Sequence, residues 1–327
     1  MKDIRKIAVF TSGGDAPGMN AAIRAVVRNG IANGLSVVGI KKGYQGMIDK
    51  DFVDLYSTSV SNIIQRGGTI LKTARCEEFH DAEGRRKAYE HLVSNHIDAI
   101  VAIGGDGTFT GAHIFMQEYP DISIVGIPGT IDNDLVGTDY TIGFDTAVNT
   151  VIDAVDKLRD TAASHDRLFF VEVMGRDSGM IALHSGIAVG AEAILIPETV
   201  TYVDQLIRQL ERGWLRNKSS CIIIVAEGDD TGGATQIAER VKMKFSNYDT
   251  RVSVLGHIQR GGNPSANDRL LATRLGYEAV EALAKGKEGV MVGLEHEKIK
   301  YTPFALAIKD KAKLNLNLVK IAEILAM

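Results

Sequence analysis

Two carboxylates, Asp132 and Asp134, lie two residues apart in the segment that follows an apolar run at residues 122–127. The run predicts a buried strand, so residues 128–134 would form the loop at its carboxyl end. Ligands bind at this edge of an open α/β sheet, and carboxylates there can hold a metal ion or act as a base toward a hydroxyl. Taken alone, such a segment is more often an Asx-rich turn. The rest of the chain favours the chemical interpretation.

A glycine-rich loop at residues 104–108 follows a second apolar run at residues 99–103. Its three glycines allow the backbone to turn sharply and to approach a phosphate closely. The carboxylate of Asp106 suits Mg²⁺, which takes one or two carboxylates and leaves its other positions to water and phosphate oxygens.

A third loop, residues 11–20, lies between an apolar run at residues 7–10 and a helical pattern that begins at Ala21. This order resembles a phosphate-binding turn at a helix N-terminus. The loop matches neither G-x-G-x-x-G nor G-x-x-x-x-G-K-[ST], so a Rossmann dinucleotide site and a P-loop lose their main support.

Composition narrows the class of protein. The 327 residues are 45% hydrophobic and 24% charged, as in ordinary globular proteins. The net charge of −4 and the lack of a basic block disfavour nucleic-acid binding. The two cysteines, Cys76 and Cys221, provide neither a disulfide framework nor zinc-ligand spacing. We expect a cytoplasmic protein without a signal peptide or a membrane span.

The elements that must position these loops are strands alternating with helices. Strands are also predicted at residues 168–173, 193–196 and 221–226, and helices at residues 146–161 and 203–214. Such alternation predicts an α/β fold with a parallel sheet covered on both faces. A domain boundary is expected near Gly143, between the carboxylate-bearing loops and the later arginine-bearing loops.

Together and in order, the motifs closely resemble those of bacterial-type ATP-dependent 6-phosphofructokinases, the phosphofructokinase A family. The similarity runs from Ile7 to about Leu283. The motifs are residues 11–20, 66–69, 74–75, 104–108, 128–134, 137–144, 164–167, 171–176 and 256–262.

The resemblance implies two Rossmann-like three-layer α/β/α domains with mostly parallel sheets, between which the chain crosses more than once. A nucleotide- and Mg-binding domain would comprise residues 1–142 and about 258–306. A sugar-phosphate-binding domain would comprise residues 143–257 and about 307–327.

The implied reaction is transfer of the γ-phosphoryl group of Mg-ATP to the 1-hydroxyl of fructose 6-phosphate, a step of glycolysis. Asp132 would be the base, with Asp134 as its partner or only as a cap of the next turn. Thr130 and the N–H of Gly14 would face the transferred phosphoryl group, and Arg176 would neutralise its charge.

By the same resemblance, ATP would contact Gly14, Arg75, Cys76, Gly105, Asp106, Gly107 and Thr108. Asp106 would anchor Mg²⁺, and Cys76 would contribute its backbone while its thiol stays inert. The sugar phosphate would contact Thr130, Ile131, Asp132, Arg167, Met174, Gly175, Arg176, Glu227, Arg251, His257, Ile258, Gln259 and Arg260. The family resemblance also implies that Arg167 and Arg251 reach in from a neighbouring subunit of a homo-oligomer, usually a tetramer. His257 could instead be only a scaffold residue.

Gly107 and Gly129 favour ATP over pyrophosphate as the donor, because pyrophosphate-dependent relatives tend to carry Asp and Lys there. Family effector sites for ADP and phosphoenolpyruvate match Arg24, Arg28, Arg159, Gly190, Glu192, Arg216 and Lys218. Without that context, Arg24 and Arg28 would be a solvated helix face. Ser57, Asn62, Ser219 and Ser220 depart from the family pattern, which predicts altered effector affinity or ligand choice.

Other classes remain as alternatives. The G-G-D-G-T motif also occurs in NAD kinases and diacylglycerol-type lipid kinases, but residues 130–134 and 256–260 argue against both. A nucleotide sensor would be expected to lose Asp106 or Asp132, and both are present. A pyrophosphate-dependent phosphofructokinase, or a related kinase acting on a substrate such as tagatose 6-phosphate, is the alternative.

Overall fold

The computed structural model describes residues 4–164, 167–216, 221–245 and 249–325. The described strands, in chain order, are β1 (Lys6–Thr11), β2 (Ser36–Ile40), β3 (Phe52–Leu55), β4 (Ala99–Gly104), β5 (Ser123–Pro128), β6 (Arg167–Val173), β7 (Ala193–Leu195), β8 (Cys221–Ala226), β9 (Asp249–Val254), β10 (Val290–Glu295) and β11 (Lys298–Pro303).

The described α-helices are α1 (Met19–Ala32), α2 (Tyr44–Ile48), α3 (Ala82–Ser94), α4 (Asp106–Glu118), α5 (Phe144–Ala163), α6 (Met180–Ala188), α7 (Val203–Leu215), α8 (Gly233–Lys244), α9 (Ala266–Ala284), α10 (Phe304–Ala307) and α11 (Leu316–Leu325). Short 3₁₀ helices span Glu78–His80 and Gly256–Arg260. No helix in these described segments is long and apolar enough to cross a membrane.

The chain forms two compact units. Unit 1 comprises Met1–Ile131, Leu135–Thr146 and Arg260–Ala312. Its sheet has the order β11-β10-β5-β4-β1-β2-β3. The five central strands are parallel, whereas β3 and β11 are antiparallel to their neighbours. Every residue of β4 and β5 is buried, as expected for parallel strands covered on both faces.

Unit 2 comprises Asp132–Asp134, Ala147–Gln259 and Lys313–Met327. Its sheet is parallel throughout, with the order β7-β8-β6-β9. The central strand β8 is fully buried, and its side chains pack in an apolar core with Phe170, Leu210 and Ile237. The prediction of an α/β fold with mostly parallel sheets is confirmed.

The predicted strands and helices are all present, with small shifts at their ends. One boundary is wrong: Pro128 is the last residue of β5 and pairs with Gly104, so the loop begins at Gly129. The α1 helix begins at Met19 rather than Ala21, because Gly18 before it adopts a left-handed conformation with φ of 110°.

Candidate active site

Three of the predicted loops lie side by side in unit 1, at the carboxyl ends of β1, β4 and β5. These strands are neighbours, with Thr11 in register with Ile103 and Gly104 in register with Pro128. The N–H of Ser12 donates to the carbonyl of Ile103 at 3.0 Å. The strand order reverses at β1, because β2 and β4 lie on opposite sides of it. Doubly wound sheets bind ligands at such a switch point.

The first loop is covered by the side chain of Arg260. A Cβ at Gly14 would lie 2.2 Å from Nη1 of Arg260. The same nitrogen donates to the carbonyl of Asp15 at 3.3 Å. Glycine at position 14 is therefore required for this approach. The structure thus brings together Gly14, a predicted phosphate contact, and Arg260, a predicted sugar-phosphate ligand.

The second loop places Asp106 at the N-terminus of α4. Its Oδ1 accepts the N–H of Gly107 at 2.7 Å, and the side chain is exposed. Thr108 is buried, and its carbonyl accepts the hydroxyl of Tyr44 at 2.5 Å. Burial raises the pKa of Tyr44 far above its ordinary value, so the hydroxyl stays a donor. The exposed helix N-terminus is a favourable place for an anion.

The two glycines that were predicted to select the donor occupy different surroundings. A Cβ at Gly107 would meet nothing within 4 Å. A Cβ at Gly129 would lie 2.9 Å from Cγ2 of Ile103 and 3.2 Å from Cε of Met19. A side chain is therefore accommodated at Gly107, whereas at Gly129 the neighbours must move.

The third loop divides between the two units. In unit 1, the carbonyl of Thr130 accepts the hydroxyl of Thr141 at 2.6 Å. The β-carbon of Thr130 lies 3.6 Å from an ideal Cβ at Gly105, so the second and third loops touch. In unit 2, the carbonyl of Asp132 accepts the hydroxyl of Ser178 at 2.9 Å. Asp132 is buried and Asp134 is half-buried.

Arg75 and Cys76, two further residues predicted to contact ATP, also lie in unit 1. Arg75 is exposed and has no hydrogen-bond or ion-pair partner among the described residues, which leaves its guanidinium available to an anion. Burial is the largest cause that raises the pKa of the Cys76 thiol, so the thiol stays protonated.

In unit 2, the residues after β6 and β8 are tied together by Glu227. Its Oε1 accepts the N–H of Gly175 at 3.2 Å and that of Arg176 at 2.8 Å. Arg176 has a left-handed φ of 52°, and a Cβ at Gly228 would lie 1.9 Å from its carbonyl oxygen. Glu227 therefore fixes the backbone from which the exposed Arg176 side chain extends.

The segment after β9 lies at the same carboxyl edge of the unit 2 sheet. Gln259 is fully buried, accepts the N–H of Met174 at 3.3 Å and donates to the carbonyl of Gly256 at 3.1 Å. His257 and Ile258 beside it are exposed. Gln259 thus holds the loop that presents His257.

Arg167 and Arg251 lie elsewhere in unit 2. Their guanidinium groups share Oδ2 of Asp249, at 3.2 Å and 2.8 Å. Partial burial raises the pKa of Asp249, but the hydrogen bonds and charges of the two arginines together lower it below its ordinary value. Arg167 begins β6, so at about 3.3 Å per residue it lies roughly 23 Å along the strand from Met174. Within one chain, these arginines do not join the residues at the carboxyl edge.

The family model described as phosphofructokinase matches residues 6–283. This chain belongs to the phosphofructokinase family. It is 56% identical, over the whole of both chains, to the ATP-dependent 6-phosphofructokinase 2 of Bacteroides thetaiotaomicron. It is 55% identical to the ATP-dependent 6-phosphofructokinase of Cytophaga hutchinsonii, covering 98% of this chain and 97% of the relative.

Solved phosphofructokinases also share its fold. The phosphofructokinase structure from Saccharomyces cerevisiae superposes with a TM-score of 0.88 at 40% identity over 93% of this chain. The matched region is 45% of that longer yeast chain. The two-unit architecture is therefore that of phosphofructokinases.

The residues that match the family's effector site are found in both units. In unit 1, Arg24 and Arg28 lie four residues apart on α1, with no carboxylate partner among the described residues. Partial burial and the charge of Arg28 lower the pKa of Arg24. Ser57 and Asn62, which depart from the pattern, are exposed.

In unit 2, Arg159 donates to the carbonyl of Val189 at 2.5 Å, next to Gly190, whose φ is 60°. Glu192 accepts the N–H of Ile222 at 2.6 Å. Glu192 and Arg216 line one pocket of about 820 Å³. Lys218, Ser219 and Ser220 lie outside the described residues.

Several residues that hold the site together escaped the sequence analysis. Asn20 is buried and donates to the carbonyls of Arg66 and Gly67, both at 3.1 Å, while it accepts the N–H of Ile70 at 2.8 Å. The hydroxyl of Ser178 likewise donates to the carbonyl of Asp132, and the hydroxyl of Tyr44 donates to the carbonyl of Thr108. A polar residue in an apolar helical stretch, as at Asn20 between Met19 and Ala21, is a signal that could have identified it. A polar side chain buried there must have hydrogen-bond partners.

Proposed function

We propose that this chain is an ATP-dependent 6-phosphofructokinase. It transfers the γ-phosphoryl group of ATP to the 1-hydroxyl of fructose 6-phosphate and yields fructose 1,6-bisphosphate and ADP in glycolysis. The observation that carries the proposal is the set of three loops at the switch point of unit 1, with Gly14, Asp106 and Thr130 at the ends of adjacent strands. The names of the full-length relatives support ATP over pyrophosphate as the donor.

Unit 1 binds the nucleotide in this proposal. Gly105, Gly107 and Thr108 offer the N-terminus of α4 to the phosphates, and Arg75 offers an unpaired guanidinium. No group of three or more His, Cys, Asp or Glu side chains within the described segments could hold a metal ion. That fits Mg²⁺ bound by Asp106 alone among protein carboxylates, with phosphate and water oxygens as its other ligands. When bound, Mg²⁺ neutralises charge on the phosphates.

The chain's own residues provide the remaining chemistry. Asp132 accepts the proton of the 1-hydroxyl, with Asp134, two residues further along the chain, as its partner. A carboxylate suffices as the base, because a loose transition state leaves the hydroxyl proton in place until late. Thr130, the N–H of Gly14 and the guanidinium of Arg176 stabilise charge on the transferred group.

Unit 2 provides the sugar contacts, through Met174, Gly175, Glu227, Ile258 and Gln259. Arg260 and His257, together with Arg167 and Arg251 of a neighbouring subunit, bind the 6-phosphate. The positions of Arg167 and Met174 at opposite ends of β6 support this assignment, because one chain cannot bring the two residues together. The enzyme is therefore a homo-oligomer in this proposal, and we propose a tetramer that acts in the cytoplasm.

The effector residues form part of the same proposal. ADP as activator and phosphoenolpyruvate as inhibitor would bind to the residues described above, with Arg24 and Arg28 unpaired and available to phosphate. Ser57 and Asn62 replace family contacts, and each lost charge-assisted hydrogen bond weakens binding by about 1.5–3 kcal/mol. Flat kinetics against both effectors would contradict this part alone.

The test is a coupled assay with Mg²⁺ and fructose 6-phosphate, supplied with ATP in one sample and pyrophosphate in another. We expect turnover with ATP only, and loss of that turnover in Asp132→Asn. Turnover with pyrophosphate only would show that the donor is misassigned. No turnover with either donor would move the assignment to another acceptor, for which tagatose 6-phosphate is the first to try.

A further inference from the structure

Asp268 is a buried carboxylate that the mechanism above does not use. It lies in the first turn of α9 and is 1% exposed. Its Oδ1 accepts the N–H of Gly143 at 2.8 Å. Its Oδ2 accepts the N–H of Thr146 at 2.8 Å and the hydroxyl of the same residue at 2.5 Å. A buried carboxylate with three donors is fully engaged, and all of its partners belong to one short segment.

That segment is the start of α5, which cannot cap itself. The residue before the first helical residue is Gly143, with a left-handed φ of 102°. A Cβ there would lie 2.7 Å from the Cβ of Ala16, so Ser, Thr or Asp cannot take the place. Helices usually satisfy their first N–H groups with such a side chain. Asp268 supplies the missing acceptor for the N–H of Thr146 from another helix, 122 residues away in sequence.

The same segment is bonded to the loop that carries Thr130. The N–H of Ile142 donates to the carbonyl of Pro128 at 2.9 Å. The hydroxyl of Thr141 donates to the carbonyl of Thr130 at 2.6 Å. An ideal Cβ at Gly143 would lie 3.2 Å from the side chain of Ile131, so the backbone there packs against this loop as well.

We propose that Asp268 is a positioning residue, which fixes residues 129–131 through Gly143 and the start of α5. The proposal rests on the proposed function, since it assigns Asp268 a purpose in the kinase reaction. Thr146 is the second member of the connection. Its hydroxyl donates to Asp268 and accepts the N–H of Ser265, the cap of α9, at 3.0 Å. The two helix starts are therefore fixed to each other through the buried side chains of Asp268 and Thr146.

The first variant is Asp268→Asn, which keeps the size of the side chain. In either orientation its amide NH₂ would face an N–H donor of Gly143 or Thr146, so at least one hydrogen bond is lost and a donor meets a donor. We expect kcat to fall about 10-fold to 100-fold, the range for displaced catalytic groups. The KM for ATP should stay within about threefold, because Asp268 does not contact residues 105–108. Deuterium exchange without substrates should become faster in peptides covering residues 128–146.

Three further variants separate positioning from stability. Thr146→Val removes the hydroxyl and should lower kcat, whereas Thr146→Ser keeps it and should retain wild-type kcat. Glu118→Gln breaks the ion pair of Glu118 with Arg85, in which no residue of this connection takes part. It should lower Tm with little change in kcat per folded molecule.

The outcomes distinguish this inference from the proposed function. If Asp268→Asn lowers Tm but keeps kcat within twofold of wild type, as Glu118→Gln should, Asp268 is only a cap and the inference is overturned. If Asp268→Asn does not fold, equal kcat values for Thr146→Val and Thr146→Ser overturn it. A wild-type enzyme that does not phosphorylate fructose 6-phosphate contradicts the proposed function, and the exchange of residues 128–146 still tests the positioning.

Discussion

The space around Gly107 differs from the space around Gly129, although substitutions at these two glycines look equivalent in the sequence. The position of Gly107 is open, so a side chain there would extend outward from the N-terminus of α4. The position of Gly129 is closed by Ile103 and Met19. A lysine at Gly129 would require the core to rearrange before it could bind any donor. The donor preference at Gly107 can therefore be tested without disturbing the fold.

Gly107→Asp should depress ATP-dependent turnover by orders of magnitude. Its carboxylate would enter the open space where the proposed function places the nucleotide phosphates, and like charges repel strongly there. A carboxylate in the first turn of a helix is favourable, so Tm should not fall. Steady-state kinetics with ATP and a melting curve provide the measurement.

Gly107→Ala is the matched control, because it adds a Cβ without charge. Its turnover should stay near that of the wild type, and Tm should stay equal or rise, since alanine favours helix over glycine by about 1 kcal/mol. Wild-type turnover in Gly107→Asp would show that the nucleotide phosphates do not pass this position.

At the scale of elements, one ion pair joins α3 to α4 in unit 1. Arg85 donates from Nε and Nη2 to the two carboxylate oxygens of Glu118, both at 2.7 Å. It also donates to the carbonyls of Phe79 and His80. The Arg85 side chain is 10% exposed and that of Glu118 is 32% exposed, so water screens the pair only in part. Hydrogen bonding to Arg85 is the largest cause that lowers the pKa of Glu118.

This shift predicts a pH-dependent stability. A carboxyl whose pKa is lower in the folded chain stabilises the fold above its unfolded pKa, which is about 4.3 for glutamate. The stabilisation disappears as the pH falls through the folded value. Glu118→Gln should therefore lower the free energy of unfolding by about 1 kcal/mol at pH 7, and by less at acid pH. Denaturant unfolding of both proteins at pH 7 and below pH 4 gives the comparison, and equal differences at both would contradict the assignment.

The sequence predicted those strands that are buried on both faces and end in glycine-rich loops. Residues 99–103 and 221–226 are examples, since their continuous apolar runs match the fully buried β4 and β8. The strand β11 escaped notice because it alternates Lys298, Ile299 and Lys300 at an antiparallel edge. Asp268 could not be connected with Gly143, because local patterns carry no information on pairs so distant in sequence.

For the whole molecule, the arginines proposed to bind the 6-phosphate raise the question of how many chains build one active site. Arg167 and Arg251 lie toward the amino ends of β6 and β9, while Glu227 and Gln259 follow the carboxyl ends of β8 and β9. The resemblance identified all four residues from the sequence. Only the strand directions show that the two arginines lie toward one end of the sheet and that Glu227 and Gln259 lie at the other. The proposed site, shared between subunits, would account for both the assignment and the strand directions.

Arg251→Ala should raise the KM for fructose 6-phosphate far more than the KM for ATP, because a guanidinium that binds the 6-phosphate makes no contact with the nucleotide. Arg251 is 54% exposed on its side chain and pairs only with Asp249 among the described residues, so its removal should leave the fold intact. Initial rates with each substrate varied in turn measure the two constants. Equal increases in both would contradict the assignment of Arg251 to the sugar phosphate.

Coexpression of Arg251→Ala with Asp132→Asn then tests whether Arg251 acts across a subunit boundary. Each variant alone should be impaired, one in sugar-phosphate binding and the other in the proton transfer. In a two-fold pair that shares its sites, one site of a mixed pair joins the intact Asp132 of one chain with the intact Arg251 of the other, so random mixing should restore up to about a quarter of the wild-type sites. If Arg251 served its own chain, no mixed oligomer would contain a complete site. Oligomers purified through a different tag on each variant, and assayed at low fructose 6-phosphate, should therefore be more active than either variant alone.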